Sequence, residues 1–398
     1  MWTTLRLLEF RRLFLAGLVS QAGSKVHRIA LLTLIYLLTH EAIWVSLVLG
    51  VQLLSSLIAG PLLAAWSDTQ DRKRVMVLAD IGRAILVPLI PLLGVHSLPL
   101  LLLLVGLVEV LTSMFEPASN AAVPDLVPEA QLDEANGLMY FASRFSEVAF
   151  VGLAGVLVAA VGAPFAFYFD ALTYVASALF LLGLPELSSQ ASGKADYWER
   201  AREGVRFLWA NPTVRVTVGL LFTAACFGSV EGVLGVVLAN KVLGVGASGF
   251  GAMEAALALG AVLATLVFGK LTQRFRRERL FMWALGGFGL LEVSIGALPV
   301  FAWVLAAFFF SGLFNSLFIV PARSILQTNA QPEIRGRLFA AFGAVMNSAV
   351  LIGAMLGGLT EPWLGSPRVF LLAGLLVCLA VGVVALRGGI PQQKLSAA

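Results

Sequence analysis

Long uncharged stretches recur along this chain at near-regular intervals, and they restrict its fold more than any other feature. Trp44–Leu63 carries no charge, and Val75–Leu93 carries only Asp80 and Arg83, both near its start. Runs of about 20 apolar residues match helices that cross a hydrocarbon core roughly 30 Å thick. Within hydrocarbon a helix meets all its backbone hydrogen bonds inside one segment, so repeated runs of this kind read as repeated membrane helices. Composition excludes the soluble alternative. Of 398 residues, 59% are hydrophobic and 13% charged, with a mean hydropathy of +0.91. Soluble domains are about one quarter charged.

Twelve spans can be laid out, at roughly 13–38, 43–66, 75–95, 98–123, 136–161, 164–185, 213–240, 247–269, 280–299, 301–325, 338–360 and 367–387. Residues 1–20 resemble a signal peptide but lack an evident small-residue cleavage site, so they are read as part of the first helix. Cations set the orientation, because short cytoplasmic loops collect Lys and Arg. Arg6, Arg11 and Arg12 precede the first span. Arg72–Arg74, Lys194 to Arg215, Lys270 to Arg279, and Arg335 with Arg337 fill the even-numbered hairpins. The opposite loops hold little beyond Lys241 and Arg368. Both termini are therefore expected in the cytoplasm. The net charge of +4 is spread over these loops and forms no basic domain, so no nucleic-acid partner is expected. Cys226 and Cys378 stand in apolar runs with no His or Cys at metal-ligand spacing, which reads as buried free thiols and no metal site.

The long polar segment Glu186–Asn211 separates spans six and seven. Its second part places Tyr197, Ala201, Val205 and Leu208 on one stripe of an amphipathic helix, with Glu199, Arg200, Arg202, Glu203 and Arg206 elsewhere. A tether joining two halves is the expected role. An internal repeat supports the halves. Arg72-Lys73 recurs as Arg276-Arg277, Pro117-Ala118 as Pro321-Ala322, and Pro128-Glu129 as Pro332-Glu333, each 204 residues on (276 − 72, 321 − 117, 332 − 128). The expected organisation is a six-helix bundle over 1–185, a linker with an amphipathic helix over 186–211, and a second bundle over 212–398. Parallel repeats of this kind are an architecture of secondary transporters.

These features resemble the major facilitator superfamily over essentially the whole chain. The segment after span two is similar to that family's loop signature Gly-x-Leu-x-Asp-Arg-x-Gly-Arg-Lys. Asp68, Arg72 and Lys73 are in register, while Ala64, Trp66, Thr69 and Asp71 depart from it. Phe115–Leu138, Phe167–Leu179 and Ile325–Ala340 resemble the branch of macrolide-efflux and enterobactin-exporter-type permeases. The resemblance implies an all-α membrane protein with twelve helices in two pseudo-symmetric six-helix bundles. It also implies a monomer in a bacterial inner membrane that exports small amphiphilic or hydrophobic molecules, usually against inward proton flow. Span five departs from export members, with Phe150 and Val151 where a Gly-Pro pair is common. An anionic-metabolite facilitator or importer, and a non-transport membrane sensor or lipid enzyme, are the alternatives.

There is no phosphate-cradling loop, no nucleophile–base pair and no paired-His helix, so an enzyme and a cofactor are not expected. Ionisable residues at membrane depth stand out instead, since each must line a cavity or meet a partner. They are Lys25, His27 and Arg28 in span one, Glu109 in four, Arg144 and Glu147 in five, Asp170 in six, Glu231 in seven, Glu254 in eight and Glu292 in nine. Arg144 and Glu147 are three apart and can pair. Lys25 and Arg28 can neutralise one of the acids or bind an anionic cargo. Asp170, nearer a helix end, reads as a packing or capping residue. Glu109 is near mid-span on helix four, which the resemblance places on the central cavity, and it is the first candidate for proton coupling or substrate binding. Glu231 is the second, with Glu254 and Glu292 behind it. In the hairpin, Asp68 can accept from the amides that open span eleven. Arg72 can pair with Asp125, and together with Lys73 these form the expected cytoplasmic gate. Gly228-x-x-x-Gly232 and Gly353-x-x-x-Gly357 are the expected sites of close helix approach.

Overall fold

The computed structural model describes residues 4–67, 70–187, 205–330 and 332–391. Twelve long helices run through them: α1 (Leu8–Thr39), α2 (Ala42–Ser67), α3 (Arg72–Leu92), α4 (Leu98–Leu126), α5 (Leu132–Val161) and α6 (Ala163–Leu182), then α7 (Pro212–Val237), α8 (Gly246–Arg274), α9 (Arg277–Ala297), α10 (Phe301–Thr328), α11 (Pro332–Leu364) and α12 (Ser366–Leu386). Among the described residues, eleven of these helices contain stretches long and apolar enough to cross a membrane. The exception is α1, whose apolar run is interrupted by Lys25, His27 and Arg28. The chain is an integral, multi-pass, all-helical membrane protein.

Local chemistry explains where the helices begin and turn. Asp71 caps α3 by accepting from the Arg74 backbone N–H at 2.8 Å, and Asn211 caps α7 by accepting from Val214 N–H at 3.2 Å. The α5–α6 turn is made at Gly162 (φ 86°) and the α11–α12 turn at Gly365 (φ 76°), a left-handed backbone that suits a residue without Cβ. Each is followed two residues later by a proline in the first turn of the next helix, Pro164 and Pro367, where a missing N–H costs nothing. The two turns are 203 residues apart (365 − 162), close to the spacing of the repeat, and Pro117 and Pro321 both lie inside helices, α4 and α10.

The chain forms two compact units. One comprises Met1–His40, Leu47–Gly193 and Gly246–Ala255; the other comprises Glu41–Ser46, Lys194–Val245 and Ala256–Ala398. In the first unit α1 packs on α5 and α6, and α3 packs on α4 and α6. Phe10, Leu13, Met76, Phe115, Val123 and Leu181 belong to one of its apolar cores. In the second, α9 packs on α10 and α12, and α7 packs on α11 and α12. Phe281, Phe288, Phe318 and Leu285 are central to that packing. Large apolar side chains such as Leu172, Leu179, Leu290 and Trp363 are exposed, as a lipid-facing surface requires.

The amphipathic stripe expected over the linker lies largely outside the described residues. Of its two described members, Leu208 is buried with Val214, Val218 and Leu338, whereas Val205 is exposed. A short helix over 205–210 leads to the Asn211 cap, and Leu208 is its anchoring side chain.

Candidate functional site

Three groups of polar residues interrupt the apolar interior. The first lies where α1 meets α5 and the start of α8. Lys25 donates to the Glu147 carboxylate, and Arg28 reaches both Glu147 at 3.9 Å and Glu254 at 3.2 Å. Glu254 is buried, so the nearby guanidinium meets the need of a carboxylate removed from water. The structure thus brings Lys25, Arg28, Glu147 and Glu254 into one alternating network. The Arg144 side chain expected to pair with Glu147 lies outside the described residues; Glu147 faces α1.

The second group lies deeper between α1, α3, α4 and α6. His27 Nδ1 is 3.0 Å from Asp170 Oδ2, and Arg83 donates to Asp80 at 2.5 Å. The Arg83 guanidinium also lies over the rings of Phe115 and Tyr174, at 4.7 and 4.3 Å. Such stacking favours a cation removed from water. Asp170 is buried beside His27 within this group, away from the helix ends where a cap would sit. Glu109 is half-buried on α4, within electrostatic reach of Arg83 and His27.

The third group belongs to the second unit. A cavity of about 630 Å³ is bordered by α7, α9, α10 and α11. Its wall combines Phe288, Phe318, Phe339 and Phe342 with Glu231, Arg323, Asn315 and Asn347. Apolar walls with a few convergent polar groups suit a small ligand that is part greasy and part polar. Glu292, fully buried on α9, faces Glu231 from behind this wall.

The hairpin between α2 and α3 is tied down inside the first unit. Arg72 donates to Asp125 and, at 2.9 Å, to the Ala121 carbonyl near the end of α4. Lys73 donates to the Leu184 carbonyl at 2.6 Å, and Arg74 to Glu186 at 3.0 Å. Asp68 lies outside the described residues. Asp71, which in the sequence is only a departure from the loop signature, both caps α3 and accepts from the Leu187 N–H at 2.8 Å. The segment after α6 is therefore fastened to the hairpin by backbone as well as side chain, including Arg72 N–H to Leu187 O at 3.1 Å.

Close helix approach occurs partly where it was not expected. Gly353 does pack against the Cys226 carbonyl, but a side chain on Gly232 would meet open space and Gly228 faces the Phe288 ring. In the first unit two backbones meet directly at Gly155 on α5 and Gly251 on α8, where a Cβ on Gly155 would lie 2.6 Å from the Gly251 Cα. Sequence reasoning also missed the Asp80–Arg83 pair and the bond from Lys241 to buried Glu361 at 2.9 Å. The first had a signal, an acid and a base three apart on one helix. The second joins residues 120 apart in sequence and had none.

The profile of one family, described as transmembrane secretion effector and part of the major facilitator superfamily, matches residues 1–397. Macrolide efflux protein A of Streptococcus pyogenes is 23% identical over 94% of this chain and 95% of its own length. Enterobactin exporter EntS of Escherichia coli O1:K1 / APEC is 28% identical over 88% of this chain and 85% of its own. Among solved structures, a point mutant of the nucleoside transporter NupG superposes with a TM-score of 0.81 over 95% of this chain and 99% of its own, at 12% identity, a likeness of fold alone.

Proposed function

The chain belongs to the transmembrane secretion effector family of the major facilitator superfamily, and from that premise we propose that it is a proton-driven exporter of small amphiphilic or hydrophobic molecules. It works by alternating access between its two six-helix halves, 1–185 and 212–398. The observation that carries this reading is the match over the full chain to a secretion family, together with full-length likeness to macrolide and enterobactin exporters. The aromatic-walled cavity in the second unit supports an amphiphilic cargo, with Glu231 and Arg323 on the wall that its polar end would meet. Lys25 and Arg28 already balance Glu147 and Glu254, which leaves little for the anionic-metabolite alternative to act through.

In this reading the protein is a monomer in a bacterial inner membrane with both termini in the cytoplasm. Arg72, Lys73 and Asp125, with Asp68, form a cytoplasmic gate that biases the alternating equilibrium by the difference in their contacts between its two states. Glu109, Glu231 and Glu292 are the candidate coupling acids. Inside-out membrane vesicles test the proposal. With an imposed pH gradient they should accumulate a labelled macrolide or ethidium, and nigericin should abolish the uptake. No accumulation of either probe under any imposed gradient would overturn it. Glu109→Gln should flatten the pH dependence of uptake, and an unchanged profile would remove Glu109 from the mechanism.

A further inference from the structure

We infer that His27, Asp170, Arg83 and Asp80 together form a proton-binding site at the centre of the first unit. The inference deepens the proton-driven reading by naming where a coupling proton sits. All four residues are buried: Asp80 is 0% exposed, Asp170 1%, Arg83 3% and His27 8%. They come from α1, α3 and α6, so no single helix can rearrange the group without the others.

The argument is one of charge balance. Arg83 is always a cation, and it is engaged by Asp80 at 2.5 Å. That leaves Asp170, whose close ionisable neighbour is His27 Nδ1 at 3.0 Å. Neither of those two atoms has a hydrogen-bond partner elsewhere among the described residues, so each faces the other alone. With a neutral imidazole and both acids ionised, the group carries two carboxylates and one cation at membrane depth, where an unbalanced charge is expensive. One bound proton restores neutrality. His27 Nδ1 and Asp170 Oδ2, 3.0 Å apart, are placed to hold it between them. The Phe167 ring, edge-on to the imidazole at 4.8 Å, and Tyr174, bound to Ser24 at 3.0 Å, close the site with ring faces and a hydroxyl.

The remaining charged neighbours do not supply the missing cation. On α1, Lys25 and Arg28 flank His27 but are turned to Glu147 of α5 and Glu254 of α8. On α4, half-buried Glu109 adds a further acid within reach of both His27 and Arg83. Loss of the proton therefore leaves like charges facing each other between α1, α3, α4 and α6. Proton occupancy is thereby linked to the packing of α1 on α6, one of the tightest contacts of this unit.

The chain has only three histidines, His27, His40 and His96, so imidazole nitrogen resonances of the full protein in lipid nanodiscs can be assigned by loss of one signal in His27→Gln. Followed across the pH range in which the protein stays folded, the His27 signal should pass from the protonated to the neutral pattern. At one fixed pH the protonated share of that signal should fall in Asp170→Asn, which removes an acid beside the ring, and rise in Arg83→Gln, which removes a cation from the group. Arg83→Lys, which keeps the charge, should leave that share near its original value and guards against a poorly folded Arg83→Gln. A His27 signal that does not change across the range, or that moves the same way in both charge-removing variants, would overturn the inference. No substrate enters this measurement. A titrating His27 in a protein that accumulates no probe would leave the site standing and remove coupled export, and a silent His27 in a proton-driven exporter would do the reverse.

Discussion

Replacing Gly155 by alanine isolates the crossing of α5 with α8, because the same helix carries its own control. A Cβ on Gly155 would lie 2.6 Å from the Gly251 Cα and 2.9 Å from the Ala247 carbonyl oxygen. Nonbonded carbons rest about 3.5–4.0 Å apart, so the backbones must separate by about 1 Å. Overpacking of this kind costs about 1–3 kcal/mol. It is offset in part by the gain of about 0.5–1 kcal/mol that alanine brings to a helix interior over glycine. Gly137, exposed near the start of α5, has nothing within 4 Å of its Cβ position. Gly137→Ala should therefore stabilise the protein by the propensity gain alone. Gly155→Ala should destabilise it, with a separation of about 1–3 kcal/mol between the two variants. Reversible unfolding in mixed detergent micelles, followed by tryptophan fluorescence, measures both. Two variants that shift alike, in either direction, would show that α5 and α8 are not held in backbone contact at this point.

Other consequences are open to direct measurement. Asp71→Ala removes the acceptor of two backbone N–H groups and should cost about 0.5–2 kcal/mol in the same unfolding assay, whereas Asp71→Asn, which keeps one acceptor oxygen for the Arg74 N–H, should recover only part of the loss. Glu147→Gln should destabilise by about 1–3 kcal/mol, less than the loss of one partner from a fully buried pair, because Lys25 and Glu147 are each about a quarter exposed; adding Lys25→Met should restore part of it, and strict additivity would show the two are not coupled. Phe342→Ala in the cavity wall should weaken ethidium binding about tenfold in a fluorescence titration, or about 1.4 kcal/mol, while a conservative Phe342→Leu should be milder.

Much of the fold is legible in the sequence because its causes are local. Uncharged runs the width of a bilayer can only be helices there, and the helices follow. Span edges differ from the helix ends for a physical reason. Hydropathy registers the hydrocarbon region, whereas α1 begins at Leu8 and α11 at Pro332, beyond the expected apolar stretches at residues 13 and 338. The candidate site was legible in part. Charges at membrane depth announce themselves one by one, so Lys25, His27, Arg28, Glu147, Asp170 and Glu254 could be picked from the chain. Asp80 and Arg83 were passed over because their run begins beside a charged loop, which made two buried residues resemble its edge.

What the chain order cannot carry is which acid meets which base. Arg28 could have served Glu147, Glu254 or a ligand, and only the crossing of α1, α5 and α8 assigns it. His27 and Asp170 are 143 positions apart (170 − 27), and their pairing depends on the angle at which α1 lies on α6. Gly155 and Gly251 show the same division. Each is an ordinary small residue in its own helix, and only the approach of two backbones makes a methyl group too large. The apolar runs by themselves determined that the chain crosses a membrane many times, because solvation of the backbone and side chains acts on each segment separately. Tertiary structure alone decided the partners of the buried charges, because electrostatic and packing energies depend on distances across helices that no local pattern records.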